Sequence, residues 1–221
     1  MKHRPSSPRD ERFSDEGALR LVAKVIAFCG REVDRRIYAH VQPHAHATAS
    51  LAYRFALACG YNGRSGAPTF AELECGAYLH DIGKYFIAPD VLLKPTVLDA
   101  DDRAVIELHP VYGDLILAKL PYISDPIRRI TLHHHEHWDG SGYPDGLSGF
   151  AIPLGARIIA VIDTYAALRA RRSYKPTLQK HEALATLIAM AGRKLDPYLV
   201  EDFLKFVGHR QPPRAVLRLV K

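Results

Sequence analysis

The stretch LGARIIAVIDTYAALRARR, residues 154–172, decides how the rest of the chain is read. Its apolar residues recur at helical spacing, and Pro153 stands where a helix can start without losing a backbone hydrogen bond. Ile158, Ile159, Val161, Ile162 and Leu168 leave little room for a wet face, so this helix belongs in a core. Asp163 lies inside the same run. A buried carboxylate without a partner is costly, so Asp163 needs a cation, either an arginine or a metal ion.

The helical period continues on both sides. Leu19, Val22, Val25, Ile26 and Val33 predict a helix from Glu16 to about His40, and a second covers roughly 44–59 and stops at Gly60. A third begins near Phe70 and runs toward His80, and residues 85–98 read as an ordered connection. Asp101 and Asp102 open a helix through Leu120, and Ser124 caps another that enters the histidine run. Two last helices span about 179–192 and 196–208. Neither internal repeats nor useful strand alternation is present, so the expected class is an all-α bundle of roughly seven to nine helices. Residues 1–16 and 209–221 read as tails, 17–40 as an N-terminal helix, and 41–208 as the main domain.

Composition narrows the function. With 221 residues, 48% of them hydrophobic, the chain can bury a substantial core. The formal charge of +6 is concentrated in clusters such as Arg169, Arg171 and Arg172, which suit phosphate groups better than a nucleic-acid groove. Aromatic and basic residues do not alternate as on a strand-binding surface, which argues against nucleic acid. Cys29, Cys59 and Cys75 form no CxxC pair, which points to a reducing compartment, and the charged opening MKHRPSSPRDERFSDEG, with no apolar run behind it, is expected to be neither signal peptide nor anchor. A cytoplasmic protein without membrane insertion is expected.

Metal chemistry rests on several segments together. In YLHDIGK, residues 78–84, His80 and Asp81 sit side by side at the end of an apolar helix, with Gly83 and Lys84 behind. Adjacent helical side chains point about 100° apart, so they cannot share one ion symmetrically, but a carboxylate can bridge to a second ion. His109 precedes Pro110, and HHHEHWDGSGYPDG, residues 133–146, places four imidazoles and Glu136 against a glycine-rich turn. Imidazole and carboxylate without thiolate favour iron or manganese, although zinc, nickel and cobalt also accept these ligands.

LHDIGK, then Lys94-Pro95, then HPVYGD at 109–114, then HHEHWDGSGYPDGL, then IPLGARIIAVID resembles the HD-GYP subgroup of HD-domain metal-dependent phosphohydrolases over roughly residues 40–207. The resemblance implies an HD-domain helical bundle around two, sometimes three, transition metals. It also implies hydrolysis of cyclic di-GMP to linear pGpG and often to GMP. His80, Asp81 and Asp163 match the ligands of the first metal, with Asp81 as bridge; His109 and His134 match the second, and His135 completes it or holds a third ion. His133 and His137 lie outside the motif and read as bystanders.

One further histidine precedes the HD pair in this family, and His44 fits best, in a stripe with Leu51 and Phe55; His46, in a stripe with Tyr53 and Leu57, competes. His40 occupies the position of a glutamate found in three-metal members, which favours two ions. Two ions about 3.5 to 4 Å apart hold a bridging hydroxide for in-line attack, and Lys84 matches the lysine that neutralises the scissile phosphate. Gly142, Tyr143 and Pro144 match the loop that shapes the substrate pocket and meets diguanylate cyclase-type (GGDEF) partners; Tyr143 either stacks on a guanine or packs. The DGSGYPDG loop itself is expected to be flexible and to let backbone approach the ligand.

After Asp163 the chain departs from the family. Arg172, Tyr174 and Lys175 match substrate-binding positions, but Ala166, Arg169 and Ser173 replace an aspartate, a threonine and a proline. Two other readings therefore stand: a slow or non-catalytic cyclic di-GMP sensor, and a phosphohydrolase for another cyclic dinucleotide. The first long helix could also serve a homodimer.

Overall fold

Asp34 accepts a hydrogen bond from the Arg36 amide and starts α1, Arg35–Cys59, which Gly60 ends in the left-handed conformation. The computed structural model describes residues 24–25, 34–61, 63, 67–170 and 177–208. Thr69 and Glu72 form a reciprocal capping box for α2, Phe70–Leu79, after which a 3-10 turn covers Ile82–Phe86. The chain continues through α3, Pro89–Leu92, α4, Ala100–Ile106, α5, His109–Leu117, and α6, Asp125–His133. A 3-10 turn at Gly149–Ala151 leads into α7, Leu154–Arg169, followed by α8, Lys180–Met190, and α9, Pro197–Phe206. An isolated bridge between Ala191 and Leu195 is the β pairing among the described residues. The all-α class is as expected.

Some boundaries differ from the sequence reading. α1 runs without interruption across the expected break between 40 and 44, with Pro43 inside it. The expected 101–120 helix is two helices, because Pro110 has no N–H for the Ile106 carbonyl. Ser124 stands at the α6 N-cap but makes no capping bond; its hydroxyl donates to Glu72 Oε1 at 2.9 Å instead. Of the expected 16–40 helix, Lys24 and Val25 are described and helical, ahead of Asp34.

The core brings the metal-candidate helices together. Phe55 of α1 meets Phe203 and Phe206 of α9 with ring centroids 5.5 and 5.6 Å apart, and Tyr165 of α7 stacks edge-on to Phe203. α6 is seated by Ile130, whose side chain fills the space that a Cβ at Gly76 of α2 or Gly155 of α7 would take. The Arg157–Asp196 pair, 2.6 Å, with Asp196 buried, ties α7 to the start of α9, where Asp196 also caps Tyr198 and Leu199. No helix among the described residues is long and apolar enough to cross a membrane.

Candidate metal centre

The site forms where several helices end. α2 stops at Leu79, and His80 is its C-cap, so the Ala77 carbonyl accepts from His80 Nδ1 at 2.6 Å rather than from a further turn. His134 caps α6 in the same way, with Nδ1 on the Thr131 carbonyl at 2.8 Å. His109 opens α5, and its Nδ1 takes the Ile106 carbonyl at 2.7 Å, the acceptor that Pro110 leaves without a backbone donor. Each bond places a proton on Nδ1 and turns Nε2 inward.

These inward atoms form two groups joined by one carboxylate. His44, His80 and Asp163 make the first, and Asp81, His109, His134 and His135 the second, with ligand atoms in each group within 4.8 Å of one another. Asp81 Oδ2 lies 3.4 Å from His80 Nε2, while Oδ1 lies 3.2 Å from His109 Nε2 and 3.9 Å from His134 Nε2. Asp163 Oδ1 lies 3.6 Å from His80 Nε2 and closer still to His44 Nε2. The partners of Asp163 are thus imidazoles on α1 and at the end of α2. His80 Nε2 and Asp81 Oδ1 are buried without a hydrogen-bond partner, and the two acceptor nitrogens of His109 and His134 face each other at 3.2 Å. Buried nitrogen and oxygen atoms that converge with hydrogen-bonding capacity left unmet suit divalent cations.

Charge is divided across the site. Burial pushes the His134 imidazole well below its ordinary range, with His135 and His80 adding to the effect, and burial lowers His135 to about 3 and also lowers His109. These rings are neutral, the form that ligates. Burial also opposes charge on His80, but Asp81 and Asp163 outweigh it and raise the imidazole to about 10. Against burial, Lys84 and His80 hold Asp81, and His44 and His80 hold Asp163, well below the usual carboxylate range.

Lys84 Nζ donates to Asp81 Oδ2 at 2.6 Å. Both border a cavity of about 690 Å³ whose wall includes His40, His44, Tyr165, Ala166 and Arg169. His40 therefore lies beside the first group but outside it. His46 packs on the Tyr78 ring at 4.9 Å, away from both groups. Arg172, Tyr174, Lys175 and Ser173 lie outside the described residues.

The loop after the histidines is fastened, not loose. Both Glu136 oxygens accept backbone N–H groups, from Asp145 at 2.7 Å and Leu147 at 3.0 Å. The Gly140 amide reaches the His137 carbonyl, and the Tyr143 amide reaches that of His135 at 3.3 Å. Gly142 is small because a Cβ there would meet the His137 nitrogen at 2.2 Å and the His135 carbonyl oxygen at 2.5 Å. Its close neighbour is thus the histidine turn. Tyr143 stacks on His135, centroids 4.9 Å apart. Pro144 follows Tyr143 through a cis peptide bond. His137, half-buried, bonds Ser141 Oγ through Nδ1 at 3.0 Å. His133, expected as a bystander, is buried and belongs to neither group of ligands, with Nδ1 3.8 Å from Glu136 Oε1 and 3.6 Å from Asp145 Oδ2. Sequence reading passed over Glu136 as an organiser of the loop, although a carboxylate beside a run of glycine amides was a visible signal.

The chain is similar to known proteins over much of its length. A family profile described as HD domain matches residues 32–199. A cyclic di-GMP phosphodiesterase response regulator of Xanthomonas campestris pv. campestris is 46% identical over 134 residues, 60% of this chain and 35% of that protein. A 3′3′-cGAMP-specific phosphodiesterase of Vibrio cholerae is 41% identical over 128 residues, 58% of this chain and 24% of that protein. Among solved structures, an HDG"Y"P protein from Bdellovibrio bacteriovorus aligns with a TM-score of 0.60 at 17% identity, over 87% of this chain and 64% of that one. The chain spans no more than 35% of either curated relative.

Proposed function

The chain belongs to the HD domain family and carries the motifs of its HD-GYP subgroup, and on that premise we propose that it hydrolyses cyclic di-GMP to pGpG and onward to GMP. The observation that carries the reading is Asp81, whose two oxygens face two separate groups of imidazoles. His44, His80, Asp81 and Asp163 would hold one divalent ion, and Asp81, His109, His134 and His135 the other, with iron or manganese favoured by the absence of thiolate. When bound, such ions supply an acidified water and charge compensation for phosphoryl oxygens.

The chain's own residues supply the rest. Lys84, at 2.6 Å from Asp81, brings a positive charge to the cavity beside the ligands, where it meets the phosphodiester. Neutral His109, His134 and His135 keep their lone pairs for ligation at neutral pH. Tyr143 buttresses His135, and Arg172, Tyr174 and Lys175 would hold the phosphate and base of the substrate. A cytoplasmic setting, GGDEF-type partners at the Gly142-Tyr143-Pro144 loop and a homodimer belong to the same reading.

The test loads purified protein with iron or manganese anaerobically, adds cyclic di-GMP and resolves products beside an Asp81→Ala control. Linear dinucleotide or GMP from the parent protein alone is expected; ligand retained intact with metals bound would replace the enzyme by a sensor. A second reading, a phosphohydrolase for a mixed cyclic dinucleotide, is favoured by Ala166 in the cavity wall, where no carboxylate is offered to a guanine edge. Ala166→Asp should then shift the ratio of kcat/KM values for cyclic di-GMP and cyclic GMP-AMP toward cyclic di-GMP.

A further inference from the structure

We infer that His133, Glu136 and Asp145 form a separate divalent-cation site, suited to zinc or a similar ion, that fastens the Gly140–Leu147 loop to the end of α6. One ligand atom from each residue lies within 4.8 Å of the others. His133 is 9% exposed, and its Nδ1 is shut off from solvent with no hydrogen-bond partner. That nitrogen lies 3.8 Å from Glu136 Oε1 and 3.6 Å from Asp145 Oδ2. Both separations are too long for hydrogen bonds. They are close to the roughly 3.4 Å expected between two ligands that share a tetrahedral ion at about 2.1 Å from each.

The chemistry of the three residues agrees. A nitrogen and carboxylate oxygens are ligands zinc accepts, and three protein ligands leave a position for water. The two N–H bonds already held by Glu136 fix its carboxylate in place and still leave lone pairs on it. Asp145 is half exposed, at 54% of its side chain, so an ion can enter from solvent without opening the core. None of the three residues belongs to either group of the main centre. An ion here would join the loop that carries Tyr143 to the helix end that carries His134 and His135, and so hold Tyr143 on His135.

The test uses the full chain, stripped by chelation and dialysed against zinc at a free concentration that saturates the parent protein, with bound metal counted by mass spectrometry. His133→Gln and Asp145→Ala should each bind one equivalent fewer than the parent. His109→Ala, which affects the main centre alone, should still lose one further equivalent when combined with Asp145→Ala. Zinc should also slow amide hydrogen exchange across residues 140–148 in the His109→Ala protein, and fail to do so once Asp145→Ala is added. Asp145→Ala decides the matter if His133→Gln does not fold, because its side chain is exposed. Unchanged zinc stoichiometry in Asp145→Ala overturns the site, whatever the main centre binds.

Discussion

At His80, His109 and His134 the Nδ1–H is given to the carbonyl three residues back, so a bond that also serves a helix end fixes the tautomer of a ligand. His80 differs from the other two, because Asp81 and Asp163 overcome its burial and raise its imidazole to about 10. A folded-state value above the ordinary 6.5 means that the His80 contribution to the stability of the ion-free protein is fully present below pH 6.5 and lost as pH rises through 10. Urea unfolding of chelator-treated protein between pH 6.5 and 10 should show this loss, and His80→Gln should flatten that part of the profile. A profile identical in both proteins would mean that His80 is not held protonated. Metal loading must displace the same proton, so adding manganese in weak buffer at pH 8 should release acid. At Asp81 and Asp163 the sign is opposite: their contribution is present above the ordinary carboxylate range and lost as pH falls through their depressed values.

Elements carry these residues through contacts that sequence shows unevenly. The convergence of His80, Asp81, His109, His134, His135 and Asp163 was expected because each sits in a run that resembles an HD-GYP motif; one such run alone, or Asp163 alone, left the partner open. His44 and His46 were harder, since they are two residues apart on one helix and each had a stripe of its own; Tyr78, on α2, settles which one turns away. The split between α4 and α5 was legible in principle at Pro110, but its use, freeing the Ile106 carbonyl for His109, required the fold. The Gly140–Leu147 loop was misread as loose because glycine content signals freedom only where nothing anchors the chain, and Glu136 anchors this one. Gly142→Ala would press a methyl into backbone at 2.2 Å, so it should cost about 1–3 kcal/mol in chemical unfolding and lower turnover of a cyclic dinucleotide. Arg157→Ala, far from the ligands, should cost about 3 kcal/mol by stranding the buried Asp196 carboxylate, and leave metal stoichiometry intact.

On the scale of the whole molecule, the ligands span the chain from His44 to Asp163 and come from α1, α5 and α7 and from the residues that follow α2 and α6. No short segment can assemble either group alone, so the unfolded chain binds ions far more weakly than the folded one. Binding to the folded form alone adds about 2.7 kcal/mol of stability per ion at a hundred times its dissociation constant. For a domain of this size a kilocalorie moves the melting temperature by about 2–4 °C, which gives a rise of roughly 5–10 °C per ion. The melting temperature should therefore climb with the logarithm of manganese concentration, and chelation should reverse the climb. Asp81→Ala removes the carboxylate that faces both groups, so its curve should be shallower than that of a substitution confined to one group, such as His44→Ala. Equal slopes in the two variants would mean that the groups bind independently and that Asp81 does not couple them. A steeper deficit in Asp81→Ala follows directly from one carboxylate whose oxygens face His80 on one side and His109 on the other.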